Sequence, residues 1–140
     1  LGPMVFKLAD GSLKANPILN GRNDTEKVDA VATFTGSAFR AVGDVRSLLI
    51  FGSSVVSAMT TTAGQITPET PRISVKGWYQ GAVMRVGRGR VAVFGEAAMF
   101  SAQLAGQNKS PVGMNAPIAA KNAQFLLNVM HWLSGTLGDR

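Results

Sequence analysis

The chain has 140 residues, 46% of them hydrophobic and 16% charged, which is too apolar for a disordered chain and long enough for one core. The absence of cysteine excludes thiol nucleophiles, disulfides and thiolate metal sites, and a single histidine, His131, excludes a His-rich metal centre built within one chain. The formal net charge of +6 favours anionic partners, and no apolar run reaches the roughly 18 residues of a membrane-spanning helix.

Residues 1–4 read as a cloning scar or the start of a fragment, and 5–140 as a single α/β domain. Leu1-Gly2-Pro3-Met4 lacks the basic and then apolar pattern of a signal peptide, and the compartment is not legible. Residues 5–26 read as a loop-rich lead-in with turns at Asp10-Gly11, Asn16-Pro17 and Asn20-Gly21. Val28–Phe34 is a strand, Gly36–Arg40 a helical turn, and Ser47–Phe51 a short apolar strand covered on both faces. Ser53–Met59 reads as a short helix capped by Ser53 or Ser54. Residues 60–72, with four threonines, two prolines and one glycine, read as a surface loop.

Ile73–Val86 is strand-like, with Ala82, Met84 and Val86 on one face. Within it, Trp78-Tyr79 belongs to the core or forms a stacking platform. Gly87-Arg88-Gly89 turns it into the strand Arg90–Phe94, the best hairpin signal in the chain. Glu96–Leu104 has helical spacing at Met99, Phe100 and Gln103, and 106–113 reads as a polar loop. Asn115 is placed to cap a long C-terminal helix from Ala116 to about Ser134. Its apolar stripe is Ile118, Asn122, Phe125, Val129 and Leu133, widened by Leu126 and Trp132, and it stops at Gly135.

The candidate chemistry is sparse. Glu96 follows an apolar strand at Gly95, where ligands of open α/β sheets bind. It is read there as a ligand-binding carboxylate or base, or as a cap for the next helix. Gln124, Asn128 and His131, with Lys121 nearby, form the polar face of the last helix. His131 pairs with Ser53, Ser54 or Ser101 in a hydrolase reading, but the sequence has no Gly-x-Ser-x-Gly elbow. Gly52-Ser53-Ser54 and Gly87-Arg88-Gly89 match neither a phosphate loop nor a dinucleotide fingerprint. Glu96, Ser53, Ser101 and Asn115 are the ligand-binding candidates, and the weak catalytic candidates are Glu96, His131 and Ser53. No cofactor and no metal is expected.

Three stretches carry a resemblance: Phe94–Ser101, Gly113–Pro117 and Asn122–Gly135. The strand Gly89–Glu96 reads Gly-Arg-Val-x-Val-x-Gly-Glu, and the helix from Asn122 reads Asn-x-x-Phe-x-x-Asn-x-x-x-Trp-Leu. Residues 16–26, opening Asn-Pro-Ile-Leu-Asn-Gly-Arg, are similar to a segment that often precedes them. Over residues 16–135 the chain resembles the C-terminal part of bacterial domains of unknown function in the class I glutamine-amidotransferase-like superfamily. The resemblance implies a Rossmann- or flavodoxin-like three-layer α/β sandwich, small or truncated, with a C-terminal hairpin and a long C-terminal helix. It also implies a non-catalytic branch, or a fragment lacking the N-terminal half of such a domain, because no residue stands for the amidotransferase cysteine.

The leading expectation is therefore a non-catalytic α/β domain that binds a small polar ligand or a protein at the C-terminal strand edges, near Gly52-Ser53 and Gly95-Glu96. A homodimer would cover an open sheet edge. The alternatives are a serine-dependent ester or amide hydrolase, and a basic module binding nucleic acid through Lys76, Arg85, Arg88 and Arg90. Nucleic acid is the less expected partner.

Overall fold

The structure is a computed structural model and describes residues 2–138, so Leu1 of the expected scar and the last two residues of the expected domain lie outside the described residues. Strand β1 (Met4–Lys7) is followed by a single-turn helix α1 (Pro17–Asn20) and a helical turn at Asp24–Glu26. Strands β2 (Ala30–Thr33), β3 (Val45–Ile50), β4 (Val56–Ala58), β5 (Arg72–Ser74), β6 (Tyr79–Val86) and β7 (Gly89–Phe94) come next. A helical turn at Ala98–Phe100 leads to β8 (Ala102–Ala105) and β9 (Ser110–Gly113). A further turn, Pro117–Ala119, precedes helix α2 (Asn122–Leu133).

The nine strands among the described residues form four small sheets, with orders β1-β2, β3-β6-β7, β4-β5 and β8-β9. Every pairing is antiparallel. This overturns the three-layer Rossmann- or flavodoxin-like α/β expectation. A parallel sheet needs crossover connections of about a dozen residues or more, usually helical. Among the described residues the one long helix comes after every strand, so no helix there serves as a crossover.

The β6–β7 hairpin is as the sequence indicates. Val86 faces Gly89 across a two-residue loop, and Gly87 takes φ 57° at the first loop position. A left-handed residue there suits the right-handed twist of the flanking strands. The apolar run in β3 is also a buried strand, with Leu48 and Leu49 both 0% exposed. A register shift in its pairing with β6 lets both consecutive leucines enter the interior. Segment 12–14 lies along the other edge of β3, through Lys14 N–H to Leu48 O and Ile50 N–H to Ser12 O.

Four local readings are corrected. The lead-in contains β1, which pairs with β2 across the intervening turns. Gly36–Arg40 is not helical; Phe39 bridges Tyr79 in extended form. Ser53–Met59 is a turn followed by β4, because Val56, Ser57 and Ala58 find partners in β5. Glu96–Leu104 keeps only three helical residues, and 102–113 forms the β8–β9 hairpin in place of a helix end and a polar loop. The Ser101 hydroxyl donates to Ala98 O and the Ser101 carbonyl accepts from Met114 N–H, which ends the turn and pins β9 beside it.

Helix α2 is shorter than expected. Pro117 opens a separate turn, and Lys121 at φ −103°, ψ −1° breaks continuity before Asn122. Asn115 is exposed and donates to Gln103 O, so it does not cap α2. Ile118 drops out of the stripe at 47% exposure, while Phe125, Val129 and Trp132 are buried. Phe125 meets Phe94 of β7 edge-on and stacks on Phe100, with centroids 5.8 and 6.0 Å away, so α2 covers the inner face of the three-stranded sheet. Gly135 ends the helix at φ 83°, as expected.

Candidate functional site

Glu96 is 6% exposed and is held where two loops touch backbone to backbone. A Cβ on Gly95 would lie 1.9 Å from Ser37 O, and one on Gly36 would lie 2.4 Å from Gly95 O, so both positions require glycine. Glu96 Oε1 accepts from Phe34 N–H at 2.6 Å and Thr35 N–H at 2.7 Å. Gln80 extends the network, donating to Thr35 O and accepting from the Thr33 hydroxyl. Glu96 Oε2 is buried without a hydrogen-bond partner. Burial pushes this carboxyl above the usual carboxylate range, and the amides of Thr35 and Phe34 partly offset that. The carboxylate thus serves the chain leaving β2, about sixty residues earlier in sequence.

The other candidates do not gather around it as a polar cleft. Ser53 is exposed in the turn before β4. Ser101 is committed to Ala98 O and accepts from Gln103 Nε2. Among the described residues the His131 ring makes no hydrogen bond with a serine hydroxyl or a carboxylate, and its Nδ1 is buried and unpartnered. It is a minor electrostatic neighbour of Glu26. The Arg22 guanidinium and backbone N–H bind both oxygens of Glu26 and pull that carboxyl down to about 2, with a smaller pull from His131. This arrangement lacks the hydroxyl–imidazole–carboxylate sequence of a serine hydrolase.

The basic cluster is also divided. Lys76, Arg85 and Arg88 are exposed, whereas Arg90 turns inward. Its guanidinium donates to the carbonyls of Trp132 and Leu137 and sits 5.3 Å from the Trp132 ring centroid. That satisfies carbonyls at the α2 C-terminus, where positive charge is favoured. Trp78 and Tyr79 are half-buried, with Arg40 over the Trp78 ring and Phe39 edge-on to Tyr79.

Two asparagines on α2 have roles the helical pattern hides. Asn122 and Asn128 are both 0% exposed. Asn122 accepts from Ala32 N–H and donates to the carbonyls of Ala32 and Met99, pairing side chain to strand at the open edge of β2. Asn128 donates to Ile18 O and Glu26 O and accepts from Gln124. The polar face read from Gln124, Asn128 and His131 is therefore partly an interior latch.

Two surface features remain that sequence reasoning did not find. One is the outer side of β7. Gly95 N–H donates to Gln80 O, so the alternation of antiparallel pairing turns the N–H and C=O of Ala92 and Phe94 away from β6. Those groups meet no other strand among the described residues. The register places Val86, Val91 and Val93 on one sheet face, at 55%, 37% and 46% exposure. The other is a groove of about 640 Å³ where the chain after Lys14 leaves β3, lined in part by Lys14, Asn16, Asn20, Arg46 and Ser47. The turn signals at Asn16-Pro17 and Asn20-Gly21 marked its wall but not its charge.

The chain matches no family model, and no curated protein and no solved structure matches it. These comparisons bear neither way on the resemblance to amidotransferase-like domains. No helix among the described residues is long and apolar enough to cross a membrane.

Proposed function

We propose that the chain is a non-catalytic assembly domain that binds a second copy of itself along β7. The observation that carries this reading is the open edge of β7 beside the exposed Val86, Val91 and Val93. An unpaired edge flanked by β-branched side chains is a template for strand addition. A two-fold axis at Ala92 sets Ala92 against its own copy and Val91 against Val93. Arg90 then falls opposite Phe94 and not opposite its own copy, so no like charges meet within the pair. The sheet would grow from three strands to six.

Light scattering across a range of protein concentrations tests this, with a Val91→Lys/Val93→Lys variant alongside. Both valines are exposed, so the variant should keep the circular dichroism of the parent. Across the dyad the new lysines oppose one another, and a dimer of the parent should fall to a monomer. A parent that has the mass of one chain at every concentration refutes the reading, as does a variant that remains dimeric.

A further inference from the structure

We infer that the groove at the opposite edge of the same sheet is a binding site for a small polyanion, of the class of organic phosphates. Its volume, about 640 Å³, is that of a small-molecule site and far exceeds the needs of a lone inorganic ion. None of the residues lining it is acidic, and two of them, Lys14 and Arg46, are cations. The ion pairs among the described residues are Arg22–Glu26 and Lys27–Asp24, so neither groove cation is neutralised by a carboxylate. A second groove, lined by Asp24, Asp29, Lys27 and Lys121, shows the contrast: its charges are mixed.

The cations are fixed by backbone on separate elements. Lys14 is tied to β3 through its N–H on Leu48 O, and Arg46 stands opposite Val83 in the β3–β6 ladder. Neutral donors complete the wall. Asn16 uses its oxygen to accept from Ile18 N–H, which leaves its amide N–H groups unspent. Asn20 and Ser47 make no side-chain hydrogen bond among the described residues. Arg46 and Asn16 also line a separate pocket of about 30 Å³ with Asp44, Arg85 and Trp132, too small to hold more than a water. Two unneutralised cations with unspent donors and no acid favour an anion through charge-assisted hydrogen bonds, with Arg46 offering a forked set.

This inference does not depend on the β7 reading, since the two features lie on opposite edges of the sheet. The test is a titration of the full chain with inorganic pyrophosphate at constant ionic strength, followed by amide shifts in two-dimensional NMR. Saturable shifts are expected at residues 14–20 and 45–47, with a rise in melting temperature. In a Lys14→Met/Arg46→Met variant the dissociation constant should rise by about tenfold or more. Both substituted side chains lie at the surface, and unchanged dispersion of the spectrum confirms the fold. Raising the salt should weaken binding to the parent. Shifts that do not saturate overturn the inference, and so does saturation that the double variant leaves unchanged. Shifts centred on Arg85 and Arg88 would also overturn it. The Val91→Lys/Val93→Lys variant should bind pyrophosphate as the parent does, whatever its mass.

Discussion

Replacing Asn122 with alanine tests how the fold is closed. The side chain is 0% exposed and makes three hydrogen bonds of 2.8–2.9 Å, two to Ala32 and one to Met99. Each bond is worth about 1 kcal/mol net, which sets a loss of about 3 kcal/mol if water replaces the amide. If the site stays dry, the Ala32 N–H and the two carbonyls become buried orphans, and the loss rises towards 5 kcal/mol, since each such group costs about 1–3 kcal/mol. A domain of this size has about 5–15 kcal/mol in all, so the variant should sit near its unfolding transition. Urea unfolding followed by tryptophan fluorescence measures this, with Trp132 on the same helix as the reporter. A Gln103→Ala variant serves as the exposed control, with an expected change within about 0.5 kcal/mol. A loss below about 1 kcal/mol at unchanged denaturant slope would refute the latch.

Two further predictions concern the buried acids. The Glu26 carboxyl is lowered from 4.5 to about 2 by Arg22, so its contribution to stability is complete above about 4.5 and disappears as pH falls through 2. Arg22→Ala should therefore flatten the acid limb of a stability–pH profile, and an unaltered limb would refute the coupling. Glu96 runs the other way: its folded pKa is raised, so stability associated with it is present below the unfolded value and lost as pH rises through the folded one. Glu96→Gln keeps an acceptor for Phe34 and Thr35 and should remove that decline, which thermal melts from pH 4 to 7 would register. A variant that declines with pH as the parent does would show that the burden lies on another group.

What was legible in the sequence was local. The apolar run of β3, the glycine turn between β6 and β7, and the spacing of Phe125, Val129 and Trp132 each carry their period or turn within a few residues. The errors lie where a distant partner decides. Residues 96–104 have helical spacing, yet Met99 and Phe100 enter the core from a single turn and β8 pairs with β9. The α/β reading failed for the same reason: an apolar strand followed by helix-like spacing looks like a βα unit, whatever direction its neighbours run. For the candidate site, the position of Glu96 at the end of β7 could be read, but the amides it binds belong to Phe34 and Thr35. Asn128 reads as part of a polar face, and Asn122, placed in the buried stripe, gives no sign of its partners, because their acceptors are 90 to 110 residues away. Lys14 and Arg46 gave no signal at all, since only the pairing of segment 12–14 with β3 brings them to one groove.

The latches on α2 also set an order of events during synthesis. Ile18, Glu26 and Ala32 leave the ribosome early, yet the side chains that satisfy their backbone groups arrive with the final helix. Until then the open edge of β2 and the interior side of β7 have no cover, and closing such long separations is slow. A stalled or prematurely released chain ending before Asn122 would therefore be a sticky intermediate and not a smaller version of the domain.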